Sequence, residues 1–204
     1  MSEMDHQVVI FDFDETMVLE NSLGFLFKQL SGPGYWLSAL PVVVKSLVTF
    51  KFGYKLRRAV KQRLYSKILT GMTVKDIQVA GNAVSMQLTQ NKPVIDRFIE
   101  AKKRGDFVII ATASPQIYIA AIVSSMGLDV DVVLGTHIDL EHGTIIGEEC
   151  SRVAKWVAVE AVLKTHSRIT TTAFGNKPDD VYMLEQVNRG FIVAGDSIVQ
   201  HTLI

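Results

Sequence analysis

The sequence predicts an α/β fold: a Rossmann-like parallel sheet core with a helical cap inserted after the first strand. Three observations carry this. Short apolar runs, Val8-Val9-Ile10, Phe107 to Ala111, Val130 to Leu134, Ile169 to Phe174 and Gly190 to Val193, alternate with helical patterns, which implies a parallel sheet. The first run is apolar almost without alternation, as a strand buried on both faces must be. Polar clusters recur at the ends of these strands and helices, where open α/β sheets place their ligand crevice.

The elements follow in order. Strand one, about Gln7 to Asp12, leads to an apolar helical stretch, Leu23 to Leu30, and a break at Ser31-Gly32-Pro33-Gly34. Tyr35 to Phe50 is strongly apolar, but Pro41 and Lys45 interrupt it and Lys51 closes it. A spanning helix needs about 20 mostly apolar residues, so a membrane span is not expected. Tyr54 to Leu69 reads as a basic amphipathic helix with Leu56, Val60, Leu64 and Ile68 on one face. Val74 to Leu88 is a further helix, capped by Thr73. The regular part then runs from Pro93: helix to Lys103, a stop at Gly105, a strand to Ala111, a helix from Pro115 to Met126 and Gly127 just past its end. After Val130 to Leu134 comes an antiparallel excursion, then helix Arg152 to Leu163, strand Ile169 to Phe174, helix Asp179 to Val187 and strand Gly190 to Val193. The expected organisation is a core of residues 1–20 and 90–204 with a cap of 21–89.

Composition narrows the class. With 204 residues and 48% apolar content, one catalytic domain plus one insertion is the natural size. The single cysteine, Cys150, rules out an intrachain disulfide and fits a cytoplasmic location. The polar, acidic stretch Met1 to Gln7 does not read as a signal peptide. The five histidines lack the close pairing of a zinc site. His137 and His142 bracket an expected hairpin and read as surface imidazoles. Net charge is zero, yet Asn21 to Lys75 carries ten basic residues and no acid, leaving eleven basic against 21 acidic residues elsewhere. That polarity points either to an anionic partner of the basic segment or to neutralisation of the acidic domain it packs upon. Nothing in it calls for nucleic acid.

The chemistry centres on Phe11-Asp12-Phe13-Asp14-Glu15-Thr16. Alternate residues of an extended chain project to one side, so Asp12 and Asp14 can share a pocket, one as nucleophile and one as acid/base, with a backbone carbonyl between them available to a cation. Asp12 is expected as an exposed strand-end carboxylate. Downstream stand Thr112-Ala113-Ser114-Pro115, a helical Lys155, and Gly175-Asn176-Lys177-Pro178-Asp179-Asp180. Either Thr112 or Ser114 can offer a hydroxyl, although Ser114 before Pro115 also reads as an ordinary helix start. Lys155 is preferred over Lys164 as the neutralising cation by its spacing after Gly147-Glu148-Glu149. Asp179 and Asp180 also suit the N-terminus of the following helix.

The set Asp-Phe-Asp-Glu-Thr, Thr-Ala-Ser-Pro, lysine, and Gly-Asn-(three residues)-Asp resembles the four motifs of the haloacid dehalogenase superfamily, in its phosphoserine-phosphatase-like branch. Gly71-Met72-Thr73 and the stretch from Leu134-Gly135-Thr136 to Gly143-Thr144-Ile145-Ile146-Gly147 extend the likeness over nearly the whole chain. The resemblance implies a phosphomonoester substrate, Mg2+ as cofactor, and catalysis by Asp12 as nucleophile, Asp14 as general acid/base, Thr112 as phosphoryl donor and Lys155 as neutralising cation. It implies metal binding by Asp12, Asp14 and the fourth motif. There Asn176 stands where the family most often has Asp, with Asp179 and Asp180 able to supply the missing charge. Asp14 itself argues against dehalogenation. Phosphoserine phosphatases usually carry a Glu where this chain has Asn21, with Glu20 displaced by one. The apolar, basic cap instead resembles that of the C-type phosphatidylglycerophosphate phosphatases, implying a lipid or other apolar phosphate and a peripheral place on an anionic inner-membrane surface. A soluble small-metabolite phosphatase and a catalytically weakened phosphate-binding or adaptor protein are the alternatives.

Overall fold

A computed structural model describes residues 6–32, 54–167 and 169–201. The apolar segment 35–50, on which the membrane expectation rests, lies outside these.

Six strands form the main sheet: β1 (His6–Phe11), β2 (Phe107–Pro115), β3 (Val132–Thr136), β6 (Ile169–Gly175), β7 (Arg189–Ala194) and β8 (Ser197–His201), in the order β3-β2-β1-β6-β7-β8. The first five pair in parallel, and β8 is antiparallel to β7. This last strand was not expected. It returns across the two-residue turn Gly195-Asp196, a hairpin signal set between two apolar runs. The excursion after β3 is a small antiparallel hairpin, β4 (Ile138–Asp139) and β5 (Thr144–Ile145).

Strand periodicity divides the core. Val8, Ile10, Ile109, Ala111 and Ala173 face one side with Val159 and Leu163 of α6 (Arg152–Leu163) and Met183 and Leu184 of α7 (Val181–Gln186). Val9, Phe11, Val108, Ile110 and Phe174 face the other, under α4 (Lys92–Arg104) and α5 (Gln116–Ser125). On that side the apolar cluster continues without a break into α1 (Ser22–Ser31), α2 (Tyr54–Ile68) and α3 (Val74–Ser85). Gly81 sets the closest approach: a Cβ there would lie 2.9 Å from Ala121 Cβ and 3.0 Å from the Tyr118 carbonyl. The helices between β1 and β2 thus share the core of the sheet.

Local signals placed most helix ends. Thr73 accepts from the Asp76 amide while the Asp76 carboxylate accepts from the Thr73 amide, a reciprocal cap for α3. Gly105 closes α4 in the left-handed conformation, φ 78°. In α2 the buried side chains are Tyr65 and Ile68, with Leu69 just beyond, whereas Leu56, Val60 and Leu64 of the expected face are only half-buried. The chain leaves and returns to the sheet at one point: Val18 bridges Gln90, and the Leu19 and Asn91 amides donate to the Thr89 and Met17 carbonyls.

Candidate active site

The site begins where β1 stops. The Asp12 amide donates to the Phe174 carbonyl at 2.9 Å, one rung past the β1–β6 ladder, so the backbone fixes Asp12. The chain then enters a wide turn, Phe13–Met17, closed by the Val18 amide on the Phe13 carbonyl. Inside it Asp14 is extended and Glu15 is left-handed at φ 58°. Phe13 is fully buried, which leaves Asp12 and Asp14 on the opposite side, toward one cleft.

Asp12 is 5% exposed, not the exposed strand-end group expected from sequence, because four elements close around it. One carboxylate oxygen accepts from Thr16 Oγ1 at 2.9 Å and the other from Lys155 Nζ at 2.7 Å. Lys155, 1% exposed on α6, also donates to Asp180 Oδ1 at 2.5 Å. Lys164 is exposed and pairs with Glu160. Burial would pull the Lys155 ammonium down, but Asp12 and Asp180 together outweigh it, so its pKa is raised and the group stays charged. Asp180 is pushed up by burial and by the Asp12 charge, despite Lys155. Two carboxylates therefore share a single ammonium in a buried corner of the fold.

Gly175 admits this arrangement. A Cβ there would lie 2.7 Å from Asp180 Cβ and Oδ2. Asp180 Oδ2 accepts from the Asn176 amide at 2.9 Å, and Asn176 Nδ2 donates to the Asp14 carbonyl at 3.0 Å. Asp179 lines the same cleft as Asp12, Asp14 and Asp180, and its carboxylate is paired with two arginines. Its Oδ1 accepts from Arg152 Nε at 3.1 Å and its Oδ2 from Arg57 NH1 at 3.2 Å, which carries its charge to the rim.

Asp14 is held at both oxygens. The Ser22 amide, in the first turn of α1, donates to Oδ1 at 2.6 Å, and Ser114 Oγ donates to Oδ2 at 2.6 Å. Burial raises the Asp14 pKa, and the contacts with Ser114 and Ser22 oppose the rise. Ser114 is thus not the helix cap. Residue 115, at the cap position of α5, is proline and makes no side-chain cap bond. Thr112 is fully buried and accepts from the Ser114 amide at 3.1 Å, leaving its hydroxyl hydrogen for another acceptor.

Together Asp12, Asp14, Thr112, Lys155, Asn176 and Asp180 surround one cleft of about 140 Å3, with Asn21, Arg57 and Lys61 on the cap side. Lys61 Nζ meets the buried Glu149 Oε1 at 2.5 Å, so Arg57 and Lys61 both neutralise acids contributed by later parts of the chain. Sequence reasoning missed Glu149, Ser22 and the contact of Ser114 with Asp14. Glu20 turns away and accepts from the Thr89 amide. The Cys150 thiol is buried near the site, and burial pushes it up to about 11. His142 pairs with Asp139 on the exposed β4–β5 hairpin, and neither residue lines the cleft.

Known proteins share this architecture. A structure of unknown function from Bordetella pertussis Tohama I superposes with a TM-score of 0.73 at 16% identity, covering 92% of this chain and 89% of that one. A phospho-aspartyl intermediate analogue of phosphoserine phosphatase superposes with a TM-score of 0.64 at 18% identity, covering 92% and 86%. Protein CicA of Caulobacter vibrioides is 27% identical over 194 residues, 89% of this chain and 84% of CicA. The family model of haloacid dehalogenase-like hydrolases matches residues 9–185, and the chain belongs to that family.

Proposed function

We propose that this hydrolase is a magnesium-dependent phosphomonoesterase acting through an aspartyl-phosphate on Asp12. The observation that carries the reading is the buried Asp12–Lys155–Asp180 array at the floor of a small cleft, with Asp14 held beside it. The cleft is small, about 140 Å3, and lined by polar and charged side chains suited to a phosphoryl group.

The donor set fits a hard divalent cation. Asp12, Asp14 and Asp180 offer oxygens, and the buried Asp12 and Asp180 carboxylates against one ammonium leave the site short of positive charge. Asp12, the Asp14 carbonyl and the Asn176 amide would hold the ion, with Asp180 behind them. The Asn176 amide donates to the Asp14 carbonyl here, and turning it over would set two oxygens side by side for a cation. Once bound, the metal would neutralise and orient the phosphoryl oxygens.

Each step then has an owner. An Asp12 oxygen bonds to phosphorus as the bond to the leaving oxygen breaks, and Asp14 gives that oxygen its proton. Thr112 donates to a phosphoryl oxygen, and Lys155 holds the negative charge that gathers on Asp12. In the second step Asp14 takes a proton from water as it attacks phosphorus, which returns Asp12 and releases phosphate. The phospho-aspartyl analogue of the structurally similar phosphoserine phosphatase supports this covalent route.

Two substrate readings are compatible with the site. The apolar segment 35–50 and the basic cap support a lipid or other apolar phosphate at an anionic surface. The pairing of Arg57 and Lys61 with core acids favours a small metabolite, because those charges are occupied inside the molecule. Among the described residues no helix is long and apolar enough to cross a membrane. A phosphate-release panel holding phospholipid phosphates and small phosphomonoesters, each with and without magnesium, tests both. No release from any substrate would overturn the enzymatic reading. Flotation with vesicles rich in phosphatidylglycerol, reversed by salt, would select the lipid substrate.

A further inference from the structure

Asp14 sits at the centre of a closed clamp that the catalytic scheme does not by itself require. The Ser22 amide holds Oδ1 and Ser114 Oγ holds Oδ2, both at 2.6 Å. Residue Ser22 is in turn held through its own carbonyl, to which Tyr118 Oη donates at 2.9 Å. Ser114 and Tyr118 stand four residues apart across the junction of β2 and α5, and both are buried, at 2% and 0% exposure. The second motif thus reaches the second carboxylate of the first motif twice, directly through Ser114 and indirectly through Tyr118 and Ser22.

The geometry points to Ser114, backed by Tyr118, as a positioning residue for general acid catalysis; the inference rests on the phosphomonoesterase reading. An acid must aim its proton at the leaving oxygen and must tolerate the anion that remains. Short hydrogen bonds to a carboxylate are of the charge-assisted kind, about twice as strong as neutral ones. Ser114 and Ser22 therefore gain strength as Asp14 loses its proton, which is when the P–O bond breaks. A hydroxyl can also turn to accept from the protonated carboxyl, while an amide cannot, so the contact with Ser114 survives both protonation states. Thr112 is kept apart for the phosphoryl group, since its hydroxyl oxygen is already set by the Ser114 amide. One segment, Thr112 to Tyr118, thus serves the phosphoryl group at one end and the leaving oxygen at the other.

Leaving groups differ in how much acid they need. An alkoxide requires a proton as it departs, whereas p-nitrophenolate leaves readily without one. The test compares kcat/KM, which reports the steps through enzyme phosphorylation, for n-butyl phosphate and p-nitrophenyl phosphate. Ser114→Ala should lower the alkyl value roughly 10- to 100-fold, part of the 10²–10⁴ that general acid catalysis supplies, and the aryl value by no more than about threefold. Tyr118→Phe should show the same bias at smaller size, and Ser114→Thr should restore the alkyl rate. Parallel losses on both substrates, or no loss on either, would overturn the clamp while leaving the phosphomonoesterase reading intact. Absence of hydrolysis of both esters and of every phosphate in the release panel by the unchanged protein would remove that reading and the clamp together.

Discussion

The floor and the rim of the cleft are both built from ion pairs, yet they are held differently. At the floor Asp12, Lys155 and Asp180 are almost wholly buried, each fixed by a strand end, a helix or a backbone amide. At the rim Arg57 is 60% exposed on its way to Asp179, and that pair ties a cap helix to the core. Removing one partner from a buried pair strands a charge in a poor dielectric and costs about 3–5 kcal/mol, whereas an exposed pair is worth about 0–1 kcal/mol. Stranding a charge at the floor therefore costs stability as well as chemistry, whereas breaking the rim pair costs little stability.

The largest effects should come from the floor. Asp12→Asn keeps the shape of the side chain and leaves Lys155 with Asp180, so the fold should persist, while phosphate release falls at least about 10³-fold with the nucleophile gone. Retained turnover with a normal phosphoenzyme yield would end the covalent scheme. Lys155→Met goes further, because two buried carboxylates lose their only ammonium. We expect a stability loss of about 3–5 kcal/mol, or roughly 6–20 °C in Tm for a chain of this length. Calorimetry with and without magnesium checks it, and a Tm within 2 °C of the parent, about what 1 kcal/mol shifts, would mean that the floor is not held by charge.

Between floor and rim lies the fourth motif. Asn176→Asp should tighten magnesium binding about tenfold by adding a charged oxygen, whereas Asp180→Ala should weaken it roughly 10- to 100-fold. Titration calorimetry with magnesium alone reads both. Equal affinity in the parent and both variants would place the cation elsewhere.

How much of this was legible depends on how local each signal is. The parallel sheet, Asp12 at the end of β1 and Thr112 toward the end of β2 follow from strand periodicity and from where strands must stop. Lys155 was separable from Lys164 only by spacing. Its burial comes from tertiary closure, which no helical pattern reports. Ser114 misled for a physical reason: Ser-Pro before a helix is what a cap looks like, and its true partner lies 100 residues away in sequence. Asp179 and Asp180 look alike in sequence, and only the fold shows that arginines from two other elements pair with Asp179 while Lys155 pairs with Asp180. β8 was readable from Gly195-Asp196 but is short and follows closely on β7.

The smallest predicted effect tests the rim. Asp179 joins Arg57 of α2 to Arg152 at the start of α6, and Arg152 itself holds a left-handed backbone at φ 53°. The Arg152 amide also donates to the Asp179 carbonyl at 3.1 Å, so this end of α6 leans on Asp179 twice. Asp179→Asn keeps the carbonyl and removes the charge. If Asp179 is a tie between cap and core, KM should rise by up to about fivefold, matching the 0–1 kcal/mol of an exposed pair, while magnesium affinity stays unchanged. Arg57→Ala should give a KM shift no larger than that, because Asp179→Asn also loosens Arg152, and the double variant should add little to Asp179→Asn, because both break the Arg57–Asp179 pair. Raised salt should shrink the difference, since exposed charges are screened within about 10 Å at 0.1 M. A fall in magnesium affinity on Asp179→Asn, with none on Arg57→Ala, would instead return Asp179 to the metal and erase the division between floor and rim.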